Sequence, residues 1–164
     1  MLYVQSRGHR ELDYARLVDW LRAILELDPH SDSPLFAAAR VYAENPDPSR
    51  SRKMLEFIHQ AFLQDPNRRW PALAHAALLA KHRLKDLSLA RRYAADIDRH
   101  ATGPGVPLWA RQMEIFILED MNQLEAAKVL LGGLLQSGKI DDPAEARFLA
   151  QRLQELEARL GGRK

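Results

Sequence analysis

The chain has 164 residues, 46% of them hydrophobic, and a formal net charge of +2. That length makes one domain the default and that apolar share can bury a core, while a charge so near neutral does not by itself point to a polyanion partner. The absence of Cys excludes disulfides and thiolate metal sites; no apolar run approaches the roughly 20 residues of a membrane span, and the start lacks a signal-peptide core.

Residues 1–12, MLYVQSRGHREL, read as an extended or disordered N-terminal extension, the remnant of a truncated or naturally incomplete first repeat. Residues 13–164 read as a single helical domain. Its first helix spans 13–27, where Tyr14, Leu17, Val18, Leu21, Ile24 and Leu25 fall on one stripe. Asp13 caps its start, and Asp28-Pro29 ends it, because proline cannot continue a helix. Ser33-Pro34 opens a second helix over about 34–44, with the small run Ala37-Ala38-Ala39 suited to close packing. After the break at Asn45-Pro46, Asp47-Pro48 starts a third helix that reaches about Gln64 and turns Met54, Leu55, Ile58, Ala61 and Phe62 inward.

A fourth, alanine-rich helix covers Asn67–Arg83 with Pro71 in its first turns, and Asp86 caps a fifth that reaches about His100. The run from Ala101 to Gly105 is the longest loop signal. Pro107 opens the sixth helix, with Trp109, Met113, Phe116 and Ile117 as its expected buried set. Tyr14, Trp20, Phe62 and Trp109 are all assigned to the core. Asn122 with Glu125 predicts a capping box for the seventh helix. Gly132-Gly133 inside that helix should destabilise it by about 1 kcal/mol each against Ala, which predicts a closely approaching neighbour helix. Asp142-Pro143-Ala144-Glu145 starts an eighth helix to about residue 160, apolar through Phe148, Leu149, Leu153, Leu156 and Leu160. One apolar and one polar face suit a terminal cap better than a dimerising coil.

The pattern repeats. Pro29 and Pro66 are 37 residues apart, and Ala90 and Ala126 are 36 apart. A period in the thirties with two helices per period is the signature of a helical solenoid. On these residues the chain resembles the tetratricopeptide repeat family. Asp13–Pro29 looks like the second helix of such a repeat, and Leu35, Ala38, Ala39 and Tyr42 loosely match the family's first-helix pattern Trp-x2-Leu-Gly-x2-Tyr. The resemblance covers roughly 13–136. It implies an all-α, right-handed α-α superhelix of about eight antiparallel helices, closed by a C-terminal capping helix.

The search for catalytic patterns finds no Gly-rich phosphate loop, no Gly-x-Ser-x-Gly elbow and no His-Glu-x-x-His. His75 and His82 share a helix face but stand about 10 Å apart along the axis, too far to chelate one ion unaided. The adjacent carboxylates Glu119-Asp120 and Asp141-Asp142 point in different directions on a helix. No enzyme activity, metal or cofactor is therefore expected. One charge cluster stands out: Arg68, Arg69, Lys81, Arg83, Lys85, Arg91 and Arg92 are opposed only by Asp86, seven cations against one anion, a local +6. It reads either as a basic groove for an acidic peptide or phosphate backbone, or as a solvated face.

The expected function is a non-catalytic protein–protein interaction scaffold. The family resemblance implies that the first helix of each pair lines a concave face that takes a peptide or partner protein. Carried onto this chain, it points to Phe36, Arg40, Arg69, Trp70, His75, His82 and Arg111. The alternative is RNA or DNA binding through residues 68–92, disfavoured by the near-neutral total charge. A homodimer is a further expectation if an apolar edge stays uncovered. The compartment stays open: cytoplasm is the default, and a membrane-anchored or periplasmic setting fits if an anchor precedes the chain.

Overall fold

The structure, a computed structural model, describes residues 13–162. The extension expected at residues 1–12 lies outside the described residues. The helices are α1 (Tyr14–Leu27), α2 (Ser33–Ala37, continued by a π-helical turn at Ala38–Tyr42), α3 (Pro48–Gln64), α4 (Pro66–His82), α5 (Leu87–His100), α6 (Leu108–Asp120), α7 (Leu124–Gln136) and α8 (Pro143–Gly161). No strand occurs among the described residues.

The helix starts follow from local hydrogen bonding. The Asp13 carboxylate accepts from the Ala15 amide at 3.1 Å, Asp47 from Ser49 at 2.9 Å, Asp86 from Leu89 at 3.0 Å and Asp142 from Ala144 at 2.9 Å. Each such cap contributes about 1 kcal/mol. Proline follows the cap directly in α3, α4 and α8, where its missing N–H costs nothing. Asp65 alone separates α3 from α4.

Asp86 also receives Arg52 of α3 at 2.9 Å. The Leu89 amide, then the Arg52 guanidinium, hold its carboxyl below the usual carboxylate range. A depressed folded-state pKa stabilises the fold above the unfolded value of about 4 and loses that gain as the pH falls through it. Urea midpoints between pH 6 and 2 should therefore fall less steeply for Asp86→Asn than for the parent chain. Parallel acid limbs would show that Asp86 is not a source of acid sensitivity.

Consecutive helices joined by short connections pack against each other throughout, and α1 also meets α3 while α2 meets α4. Side chains extend these alternate contacts along the chain. His59 of α3 lies 2.6 Å from Asp96 of α5, the rings of Trp70 on α4 and Trp109 on α6 meet edge to face at 5.4 Å, and Glu119 of α6 pairs with Arg152 of α8. Two apolar clusters result. The larger runs from Tyr14 on α1 to Ala110 and Ile117 on α6; the smaller joins Ile115, Leu118, Leu124, Ala127 and Leu131 to Leu149 and Leu156 of α8. The repeat is visible in the larger one. Leu17, Leu21 and Leu25 return 37 residues on as Met54, Ile58 and Phe62, all buried.

Four expectations need correction. First, α2 is not uniform. The Ala43 amide reaches back five residues to the Ala38 carbonyl at 2.8 Å, a π turn. Side chains of neighbouring helices take carbonyls at its end: the Tyr14 hydroxyl donates to Tyr42 at 3.0 Å and the Ser51 hydroxyl to Ala43 at 2.5 Å.

Second, α6 buries Ala110, Ile115, Ile117 and Leu118, whereas Trp109 is 54% exposed and Met113 and Phe116 are half-buried. The helix lies between two clusters, so no single stripe marks its inside. Trp20 and Phe148 are likewise exposed, at 64% and 56%. Third, Gln123 rather than Asn122 occupies the position before α7. Asn122 adopts a left-handed φ of 60° and ends α6, where the Gln123 amide donates to the Leu118 carbonyl at 2.8 Å. Fourth, no described atom lies within 4 Å of a Cβ built on Gly132 or Gly133, so no helix approaches them.

Candidate functional site: the groove between α2 and α4

An open depression of about 290 Å³ lies between α2 and α4. Leu35, Phe36, Ala39 and Arg40 line it from α2, and Arg68, Arg69, Pro71, Ala72 and His75 from α4, with Asp32 at one end. Ala39 and Arg40 stand on the π turn, which shifts their direction relative to an unbroken α-helix. On α4, Arg68, Ala72 and His75 follow one another at steps of four and three, one helical face. Small residues at Ala39 and Ala72 leave the space open.

The groove has an apolar wall and a basic rim. Phe36 is exposed, and Arg40 has no hydrogen-bond or ion-pair partner among the described residues. Arg68 stays near Asp65 at 3.5 Å. His75 sits deeper, with a buried Nε2 that makes no hydrogen bond and lies 3.8 Å from Glu44. Burial, then the Arg40 charge, pushes the His75 pKa below the ordinary imidazole value. The ring is therefore neutral at neutral pH and acts as a hydrogen-bonding group rather than a cation.

Four of the seven residues expected at a partner site meet here: Phe36, Arg40, Arg69 and His75. Arg69 is only 6% exposed, and its guanidinium donates to the carbonyls of Ala61 at 2.7 Å and Pro29 at 3.0 Å. It holds the groove floor. The other three lie elsewhere. Trp70 is half-buried against Trp109, Arg111 pairs with Asp98 of α5 at 3.2 Å, and His82 is exposed at the end of α4. Arg68 belongs to the basic cluster but not to the partner-facing set that the resemblance implies, although its spacing to His75 places the two on one helix face.

The basic stretch 68–92 does not form one free surface. Lys81 pairs with Asp120 at 2.5 Å, Arg83 donates to the Glu44 carbonyl at 2.5 Å, and Arg91 pairs with Glu114 at 3.4 Å. With Arg68 and Arg69 also engaged, Lys85 and Arg92 alone of the seven lack a partner among the described residues. No group of three or more His, Asp or Glu side chains among the described residues is placed to hold a metal ion. The buried His59–Asp96 pair lines neither the α2–α4 groove nor the small depression between α1 and α3.

Fold and site together define an all-α array of packed helices with an amphipathic groove between two of them. No protein-family model, curated protein or solved structure matches the chain.

Proposed function

We propose that this chain is a non-catalytic interaction scaffold of the tetratricopeptide-like kind, its helix pairs wound as a right-handed superhelix, and that a partner protein's acidic segment seats between α2 and α4. One observation carries the reading: an open groove of about 290 Å³ with exposed Phe36 and unpaired Arg40 on its rim. Aromatic and arginine side chains are the types enriched at protein–protein interfaces, and here an unpaired guanidinium stands beside an exposed ring. A carboxylate accepts two parallel hydrogen bonds from a guanidinium, and an apolar neighbour on the same peptide covers Phe36, Leu35 and Ala72. The long π turn beside the groove agrees with this, since such turns concentrate at functional sites.

The test is a peptide array scored by fluorescence polarisation, with photo-crosslinking from position 36. Acidic peptides with an adjacent apolar residue should bind. Arg40→Glu should weaken them at least about ten-fold, the size expected when attraction becomes repulsion at a close charge pair. Crosslinks that map away from α2 and α4, or affinity indifferent to Arg40→Glu, would reject the groove. An electrophoretic shift with RNA at low salt, lost steeply as salt rises, would replace this reading with nucleic-acid binding.

A further inference from the structure

We infer that the outward face of α7 is a self-association surface, on which a second copy of this chain packs its own α7 in antiparallel orientation with the two helices crossing at Gly132–Gly133. The argument begins with those glycines. Each lowers helix stability by about 1 kcal/mol relative to Ala, so an interior pair needs a compensating role. Close approach of another backbone is the usual one, because glycine has no Cβ to hold it off. Within the chain that role is unfilled, since a Cβ at either position would meet no described atom within 4 Å.

The rest of the face is unlike a solvated surface. Buried Leu124, Ala127 and Leu131 define the inner side of α7. The opposite side carries Val129, Gly133 and Gln136 with Leu130 at its flank, and Val129 is 70% exposed. From Ala126 to Gly138 the only charged residue is Lys128, which leans to Glu157 of α8 at 3.8 Å. An outward helix face in water normally carries charge along its whole length.

The charges at its two ends choose the occupant. Glu125 stands in the first turn of α7 and Lys139 just beyond its C-terminal end, both exposed. Neither makes an ion pair within the chain among the described residues. In an antiparallel pair, the first turn of each α7 lies beside the C-terminal end of the other, just beyond which Lys139 stands. Glu125 of each copy then opposes Lys139 of the other, giving two symmetric pairs across a twofold axis. One helix of 13 residues covers well under the roughly 800 Å² per partner of a standard interface. The dimer is therefore a weak one, with dissociation in the micromolar range or above.

Sedimentation velocity of the full chain from about 1 to 500 µM tests this. The expected result is a concentration-dependent shift from monomer to dimer. Glu125→Lys should raise the dissociation constant about ten-fold, because both symmetric pairs become repulsive. Glu125→Lys combined with Lys139→Glu should restore it, which a fold defect would not. Gly133→Leu should abolish the dimer while leaving the low-concentration melting temperature within a few degrees of the parent's. Should that variant misfold, the charge swap still decides. A monomer at every concentration, or a dimer unmoved by both Glu125→Lys and Gly133→Leu, overturns the inference.

Discussion

Replacing Arg69 with Met lowers the stability of the whole array by about 2–4 kcal/mol, a fall of roughly 5–15 °C in Tm for a domain of this size. The reason lies in where its guanidinium sits. One amine donates to the Ala61 carbonyl at 2.7 Å and the other to the Pro29 carbonyl at 3.0 Å. Ala61 is in the last turn of α3, and Pro29 follows the end of α1. Both are places where carbonyls lose their intrahelical partners and the helix dipole is negative. One buried cation thus serves two helix C-termini drawn from positions 40 and eight residues away. Met keeps the apolar stem but leaves both carbonyls short of a donor. Arg69→Lys should fall between the two, because one ammonium retains charge but cannot reproduce the planar fork. Chemical denaturation of the three chains measures this. A Met variant as stable as the parent would mean that water replaces the guanidinium without loss.

Arg152→Met is expected to loosen α8 at a similar cost, about 3 kcal/mol, by leaving a buried carboxylate without its cation. Glu119 is largely buried on α6 and receives the Arg152 Nε at 3.1 Å together with a second, closer contact from the same guanidinium. That hydrogen bond is the main reason the Arg152 pKa is raised. The guanidinium also lies over the Phe116 ring at 5.9 Å. Hydrogen exchange should quicken for amides of 143–161 before those of α3 to α5, because α8 then keeps only the smaller apolar cluster and the weaker ties of Glu145 to Gln112 and Glu157 to Lys128. Glu119→Leu with Arg152→Leu should recover most of the loss, since no buried charge remains unpaired. Equal stability of the single and double variants would show that the pair contributes no coupling.

Much of the fold was legible in the sequence, and the particular residues explain how. Asp13, Asp47, Asp86 and Asp142 accept hydrogen bonds from amides two or three residues away, and the prolines beside them fix the adjacent backbone. Interactions that short are written in adjacent letters. The buried stripe of α1 was equally plain, because that helix has one inner side and so one run at helical spacing. The candidate site was only half legible. Phe36, Arg40 and His75 were named from an expected face, and the groove does join them, but Arg68 was passed over and Trp70, His82 and Arg111 fall outside it.

The sequence by itself thus determined that the chain is all-helical and where most of its helices start and stop, because propensity, capping and proline act within a turn or two. Tertiary structure alone decided which side of α6 is inside, since a helix held between two clusters has no single stripe to read. It decided that Arg69 is a buried strut between two helix ends, because its partners lie on segments that sequence spacing cannot bring together. It also decided that Gly132 and Gly133 face open space, because whether a neighbour fills the gap beside a glycine depends on how separate helices pack.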